Sequence, residues 1–505
     1  MNLLHSVASW YFKREISRIE QVTTRPVETQ EAVFRYLMQE ARDTEFGKTH
    51  DFAGVQQPED LKKRLPVQDY DTLKPWIERV MNGEQNLLWP STISWFAKSS
   101  GTTSDKSKFI PVSKEALESC HYQGGRDLLA TYLNLHPESK LFSGKGLIMG
   151  GSHQVNQLNE HSKYGDVSAV MMQNMPIFGQ LVKTPKLSIA LMSEWEEKIE
   201  KMAEHTVNQN VTHIAGVPTW TIVLIRRLFE MKGTDNLRDI WPNLELYIHG
   251  GVSFRPYREQ FHQLIRGEGM HYMETYNASE GFFAFQDRAD ADDMLLMPDY
   301  GIYYEFIPAE EFEQEDPQTV GWQDVEAGKN YAVVISTNCG LWRYKLGDTV
   351  RFTTLFPHRI QISGRVKHFI NAFGEEVIVD NSDKAIDEAC SATHAVMKEY
   401  TAGPVYMAGG DGKGGHEWII EFEQEPDDLS RFTEVLDSTL KSLNSDYEAK
   451  RHKDMALVMP LVHIAPTGTF YEWMRSRGKL GGQHKVPRLS NDRKYLEELL
   501  VIVHK

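Results

Sequence analysis

Apolar and polar positions along the 505 residues change their rhythm twice, and each change predicts a different architecture. From residue 1 to about 90 the pattern is helical and polar. Its first stretch, MNLLHSVASWYFKREISRIEQ, breaks the apolar residues with His5 and Ser6 and then sets charges at helical spacing. That predicts an amphipathic helix; with no basic leader and no small-residue cleavage site, it does not read as a signal peptide. The region closes on PVQDYDTLKPWIERVMNGEQNLLWP.

From there to about residue 362, short apolar strand patterns alternate with amphipathic segments: KGLIMGGS, THIAGVPTW running into TIVLIRRLFEMK, LELYIHGG, HYMETYNASEGFF, GIYYEFIP and NYAVVISTN. Such alternation predicts an α/β domain whose strands feed ligand loops. After IQISGRVKHFINAFGEEVIVD the pattern predicts a helix from near Asn381, strands in AGPVYMAGG and HEWIIEFE, a helix over 427–441 and a glycine-bearing tail, RGKLGGQHKVPRLSN. A boundary near Gly364 then divides a large domain, 1–363, from a small α+β domain, 364–505. No internal repeat is visible.

Composition narrows the classes. A chain of this length exceeds one ordinary core, which agrees with two domains. At 41% hydrophobic and 25% charged it is an ordinary foldable sequence. The net charge of -16 argues against a general nucleic-acid or anionic-membrane surface, so any anionic ligand needs a local site. No apolar run approaches the ~18 residues of a membrane span. A cytoplasmic location is the default expectation. Cys120, Cys339 and Cys390 lie far apart without zinc or disulfide spacing.

Several motifs mislead. FGKT at 46–49 ends like a phosphate-binding P-loop, but Arg42 stands where its first glycine belongs. GDGKGG at 410–415 satisfies GxGxxG, yet a strand pattern follows it where a dinucleotide fingerprint needs a helix; a mobile hairpin turn is expected. NASEG at 277–281 nearly mimics the elbow of a hydrolase nucleophile at Ser279, with no Asp or His singled out as partner. The 19 histidines contain no HExxH.

Three stretches carry chemistry. In SSGTTSDKSKFIPVS, backbone amides at 101–103 and the hydroxyls of Ser100, Thr102 and Thr103 suit phosphate oxygens, with Lys106 and Lys108 supplying charge. Alone, the run reads first as a solvated surface loop. In ETYNASEGFF, Glu280 follows a strand pattern and offers an oxygen ligand for Mg2+, or a structural carboxylate. In GLWRYKLGDTVRF, Gly347-Asp348 sets an acceptor-only carboxylate suited to ribose hydroxyls, or an ordinary β-turn.

In order, WFAKSSGTTSDKSKFIPVS, HGGVSFRP, YNASEGFF, YKLGDTV and ISGRVKHFINAFGEEVIV resemble the core motifs of the adenylate-forming superfamily of acyl-CoA synthetases, peptide-synthetase adenylation domains and luciferases. YDTLKPWIERVMNGE at 70–84, IWPN at 240–243, YYEFIP at 303–308, GLWRYKLGD at 340–348 and HKVPR at 484–488 are similar, more narrowly, to the auxin-responsive-promoter family of acyl-acid amido synthetases. The resemblance covers nearly the whole chain. Two departures stand out: Asp105 occupies a position that is often glycine, and YNASE differs from the ASSE form of plant members.

The resemblance implies an adenylate-forming fold, a large N-terminal α/β domain plus a small mobile C-terminal domain, and an ATP- and Mg2+-dependent ligase. Such an enzyme joins a carboxylic acid to AMP and then to the amine of an amino acid. It implies that Ser99, Ser100, Gly101, Thr102, Thr103 and Lys106 hold phosphates, and that Gly250, Gly251, Val252, Tyr276, Asn277, Ala278 and Ser279 line the adenine and α-phosphate side. Glu280 would bind Mg2+, Asp348 the ribose, and Arg365 ribose or phosphate. Lys485 matches the catalytic lysine of the small domain and Lys367 the pivot of a hinge at 364–367. Trp220, Phe282 and Phe283, near the expected cleft, suit an apolar or aromatic acid and are equally ordinary core residues. Two other functions stay open: an acyl-CoA ligase using the same adenylate, and a nucleotide-binding regulatory protein without catalysis.

Overall fold

The computed structural model describes residues 3–99, 108–149, 155–192, 194–251, 254, 257–312, 314, 316–365, 369–370, 375, 377–406, 414–444, 447–448, 451, 457–479, 485–490 and 493–503. Two compact units are present. The first takes Met1–Gly251 and Gly267–Gln361, the second Val252–Arg266 and Ile362–Lys505.

In the first unit, helices α1 (Leu3–Thr24) and α2 (Pro26–Ala41) form where the opening pattern is amphipathic. Pro26 starts α2 at a position whose N–H has no helical partner in any case. Its buried face carries Phe34, Leu37, Met38 and Ala41 at helical spacing. Gln30, on the same face, donates to the carbonyls of Pro298 and Ile302 (2.7 and 2.8 Å) and accepts from Tyr304 N–H (2.9 Å). Helix α3 (Tyr70–Met81) is capped by Asp69, whose carboxylate accepts from Thr72 N–H at 2.9 Å, and buries Leu73, Ile77, Val80 and Met81. FGKT lies in a short helix, Glu45–Thr49, capped by Thr44; it is no phosphate loop.

The strands run β1 (Trp95–Ser99), β2 (Lys108–Val112), β3 (Lys145–Ile148), β4 (Asn156–Gln157), β5 (Lys163–Gly165) and β6 (Lys183–Thr184). Next come β7 (Val211–Ala215), β8 (Leu246–Gly250), β9 (His271–Ala278), β10 (Gly281–Phe285) and β11 (Met294–Leu296). Then follow β12 (Ile302–Pro308), β13 (Asn330–Thr337), β14 (Tyr344–Leu355) and β15 (His358–Arg365). A small sheet has the order β2-β1-β5-β4, and a large one β12-β13-β14-β15-β11-β10-β9-β8-β7-β3-β6.

The large sheet is mixed. Strands β6, β3, β7, β8 and β9 are parallel neighbours, the half expected from alternating strands and helices. From β9 onward the described pairs are antiparallel. Helices α4 (Tyr122–Leu135) and α5 (Pro218–Lys232) belong to this unit, α5 opening on Pro218 and closing at Gly233. The core gathers large rings: Trp342 packs on Phe46, Phe52 and Trp89 while its indole N–H donates to Leu88 O at 3.1 Å.

In the second unit, β16 (Phe369–Ile370) pairs with β17 (Val377–Ile378), and β18 (Val396–Tyr406), β19 (Gly414–Gln424) and β20 (Leu461–Ala465) form a separate sheet. Helices α6 (Val379–Ala392) and α7 (Leu429–Leu443) pack beside each other, the second capped by Asp428. The GxGxxG run sits in a hairpin: β18 and β19 are antiparallel with Tyr406 opposite Gly414, and residues 407–413 lie outside the described ones. Among the described residues no helix is long and apolar enough to cross a membrane.

Candidate functional site

HYMETYNASEGFF reads in the sequence as one extended segment; it folds into two strands. Ala278 pairs with Gly281, so Ser279 and Glu280 form a two-residue turn between β9 and β10. Strand, turn, strand is the wrong topology for a nucleophile elbow, which needs a helix after the turn, and this removes the hydrolase reading of Ser279. Glu280 is half-buried at the tip. Behind the turn, Asn277 pairs directly with Phe282, and a bulge follows at Phe283.

Gly347-Asp348 is a correction to the turn reading. Strand β14 runs straight through both residues, and the irregularity lies in its pairing: Val334 meets Lys345 while Ala332 meets Thr349. Gly347 takes the slack with φ +91°, a left-handed conformation that glycine adopts without a Cβ penalty. The bulge turns Asp348 into a buried position where Tyr276 Oη donates to its carboxylate at 2.8 Å.

A second tyrosine joins these pieces. Tyr344, at the start of β14, is fully buried; burial first, then the charge of Glu280, then Tyr70, Asp348 and Asp69, hold its phenol well above the usual tyrosine range. Lys108 donates to Tyr344 Oη at 3.5 Å and lies 5.7 Å from the Tyr70 ring centre. Tyr70 Oη in turn accepts from Phe109 N–H at 2.8 Å. Lys108 opens β2 and pairs with Ser99, the last residue of β1. The base of the hydroxyl-rich loop therefore stands beside the Glu280 turn and the Asp348 bulge.

Arg343, one residue earlier, fixes this corner. Its guanidinium donates twice to Glu305 in β12 (3.0 and 2.9 Å), to Thr319 (3.1 Å) and to the Leu65 carbonyl. Gln68 bridges the backbone on either side of Tyr344, donating to Arg343 O and accepting from Lys345 N–H, both at 2.8 Å. YDTLKPWIERVMNGE, YYEFIP and GLWRYKLGD are thus one packed corner.

Gly250 ends β8 opposite Thr275, the residue before Tyr276 on β9, and Gly251 follows it. Phe282 and Phe283 are core residues. Phe282 lies on Gly124 of α4, and Phe283, without exposed surface, packs on Tyr276 and Tyr304. Ser100, Gly101, Thr102, Thr103, Lys106, Val252 and Lys367 lie outside the described residues, as do the side chains of Ser99, Trp220 and Arg365.

Lys485 belongs to the second unit and is half-buried. The residues after it are tied to β18: Thr401 donates to Pro487 O at 2.6 Å, Ala402 N–H to Arg488 O at 2.8 Å, and Ser490 N–H to Ala402 O at 3.0 Å. Arg488 pairs with Glu399 at 2.6 Å, donates to Tyr257 Oη at 2.8 Å, and has its guanidinium 4.5 Å from the Tyr400 ring centre. Glu399 carries a carboxyl pushed up by burial, against the pull of Arg488.

Sequence reasoning missed Tyr344, Tyr70, Arg343 and Arg488, although all four lie inside the quoted family segments. It weighed Cys120 only for zinc or disulfide spacing and did not single out His121. Phe282 N–H donates to Cys120 Sγ at 3.1 Å, and the thiol, pushed up to about 12 by burial, returns a bond to Phe282 O at 3.5 Å. His121, driven down to about 4 by burial and therefore neutral, meets Asn277 Oδ1 through Nδ1 at 3.1 Å. No signal in the sequence marks either residue.

Three family models match the chain. The GH3 family N-terminal domain matches residues 15–270, its central domain residues 295–365 and its C-terminal domain residues 380–494. The chain belongs to the GH3 family. This is the kinship implied by the ordered motifs. Among GH3 relatives, indole-3-acetic acid-amido synthetase GH3.3 of Arabidopsis thaliana is 25% identical over 93% of this chain and 90% of its own length. The 4-substituted benzoates-glutamate ligase GH3.12 of the same plant is 21% identical, over 87% and 88%. Among solved structures, GH3.15 acyl acid amido synthetase superposes with a TM-score of 0.79 at 18% identity, covering 96% of each chain. A 2-hydroxyisobutyryl-CoA ligase in the postadenylation state, in complex with 2-HIB-AMP, shares the fold at TM-score 0.55 and 13% identity, over 95% of this chain and 91% of its own.

Proposed function

We propose that this GH3 protein is an ATP-dependent acyl-acid amido synthetase. The observation that carries the reading is the meeting of the Glu280 turn, the Asp348 bulge and the base of the hydroxyl-rich loop around Tyr344, within a GH3 chain. Support comes from relatives named as an indole-3-acetic acid-amido synthetase and a 4-substituted benzoates-glutamate ligase, and from the adenylate held by a ligase of the same fold.

A carboxylate is a poor acylating agent because its leaving group would be an oxide. Its oxygen attacks the α-phosphorus of ATP, the bond to the bridging oxygen breaks, and pyrophosphate leaves. The amine of an amino acid then attacks the acyl carbon, AMP departs, and the nitrogen loses a proton. In-line transfer of this kind is accelerated mainly by positioning and by neutralising phosphate charge.

In this reading Asp348, with one face held by Tyr276, accepts from the ribose hydroxyls. Ser99 to Thr103 and Lys106 hold phosphate oxygens, and Gly250, Gly251, Val252 and Tyr276 to Ser279 form the adenine and α-phosphate side. Arg365 assists at ribose or phosphate, and Lys367 serves as pivot. Lys485 bridges the substrate carboxylate and the α-phosphate. Among the described residues no cluster of three or more His, Cys, Asp or Glu could hold a metal. Glu280 would hold Mg2+, a hard cation that takes one or two carboxylates and completes its shell with water and phosphate, and the ion would neutralise charge on the departing pyrophosphate.

The test is pyrophosphate exchange across a panel of carboxylic acids, followed by mass spectrometry after adding amino acids or CoA. An amide product is expected. Its replacement by a thioester would favour the second reading, an acyl-CoA ligase, which the shared ligase fold supports. No exchange with any acid would sink both. Lys485→Ala should abolish exchange while ATP still binds, and normal exchange in that variant would remove Lys485 from the mechanism.

A further inference from the structure

The helical segment ahead of α4 is not α-helical throughout. Leu117–His121 forms a π-helical turn, in which Tyr122 N–H reaches back to Leu117 O. Such turns are rare and are frequently found at functional sites. This one presents two consecutive residues, Cys120 and His121, to two residues paired directly across the β9–β10 hairpin, Phe282 and Asn277. Gly124, one turn on, lets the helix close in: a Cβ there would stand 2.3 Å from the Phe282 ring.

The two contacts have different chemistry. Cys120 exchanges bonds with the backbone of Phe282, donor for acceptor, and so fixes the hairpin's register. His121 holds a side chain. In the Nδ1–H tautomer the neutral imidazole donates to Asn277 Oδ1, which leaves the NH2 group of that amide outside this contact. An unheld carboxamide can flip and present oxygen instead, which a phosphate oxygen or an adenine ring nitrogen would reject.

We propose that His121 is a positioning residue that fixes the orientation of the Asn277 carboxamide, so that the site offers an N–H donor to the adenine nucleotide. The proposal rests on the adenylation reading of the Asn277 position and adds to it a residue that touches no substrate.

The experiment uses calorimetric binding of AMP and of the α,β-methylene analogue of ATP to the full chain, so no turnover is needed. His121→Leu should bind about fivefold to tenfold more weakly, the worth of one lost hydrogen bond. His121→Asn, whose Nδ2 lies near the place of Nδ1, should recover to within about twofold on the same scale. A double-mutant cycle separates positioning from packing: once Asn277 is alanine, His121→Leu should cost nothing further. Unchanged affinity in His121→Leu, or an equal loss in the Asn277→Ala background, overturns the proposal while leaving the function standing. Failure of the unmutated chain to bind either nucleotide overturns both, and that arm tells the two failures apart.

Discussion

Two arginines, one in each unit, sit in motifs of the family and pair with a carboxylate, yet their surroundings differ in kind. Arg343 is ringed by oxygen: both carboxylate oxygens of Glu305, the Thr319 hydroxyl and the Leu65 carbonyl. Arg488 has one carboxylate partner, Glu399, one phenol, and the faces of Tyr257 and Tyr400. Replacing Arg343 strands several buried acceptors at once. At Arg488 an apolar side chain could cover the rings and strand little beyond Glu399. The cost of losing a buried charge is set by what it leaves behind, not by the ion pair alone.

Arg343→Met should therefore show the largest effect, about 3–5 kcal/mol in urea unfolding, together with lost nucleotide affinity, because Tyr344 and the Gln68 bridge lose their anchor. A cost below that of the Arg488 variant would invert the comparison. Arg488→Met should lose less, about 2–3 kcal/mol near pH 7, since methionine packs well on aromatic rings.

The pH dependence sharpens the contrast. Glu399 already has a folded-state pKa above its ordinary value because of burial, and removing Arg488 raises it further. A carboxyl with a raised folded pKa contributes stability that is fully present below the unfolded value and is lost as pH rises through the folded one. The Arg488→Met deficit should accordingly shrink as pH falls from 7.5 toward about 5, as Glu399 takes up a proton. A deficit that grows on acidification would assign the effect to another group. Smallest of all, Tyr276→Phe removes one hydrogen bond to Asp348 and should weaken AMP binding by about 1 kcal/mol with little change in unfolding; a loss of stability as large as that of either arginine variant would mean the tyrosine holds the fold and not the site.

Much of this corner was legible in the sequence, because periodicity marks strands and ordered motifs mark loops. The parallel half of the sheet, the helix that opens on YDTLKP and the strand in YYEFIP all follow from local pattern. What was not legible depends on partners distant in sequence. Positive-φ glycine serves turns and bulges alike, so Gly347-Asp348 reads as a turn until the register of β13 shows a bulge. Glu305 in a buried strand pattern does not announce Arg343. The turn at Ser279-Glu280 lacks the Asn-Gly or Asp-Gly signal that usually divides a hairpin. His121 is one histidine among 19, and only its place opposite Asn277 singles it out.

The bond from Arg343 to Leu65 joins residues 278 positions apart. At ribosomal speeds of about 5–20 residues per second, the backbone around Gln68 waits roughly 15 to 55 s for its partner to be synthesised. Through that interval the early helices have no β14 to lean on, and no nascent fragment ending before Tyr344 can assemble the corner. Nucleotide binding would thus report that the large unit has been translated nearly to its end and has closed on its own beginning.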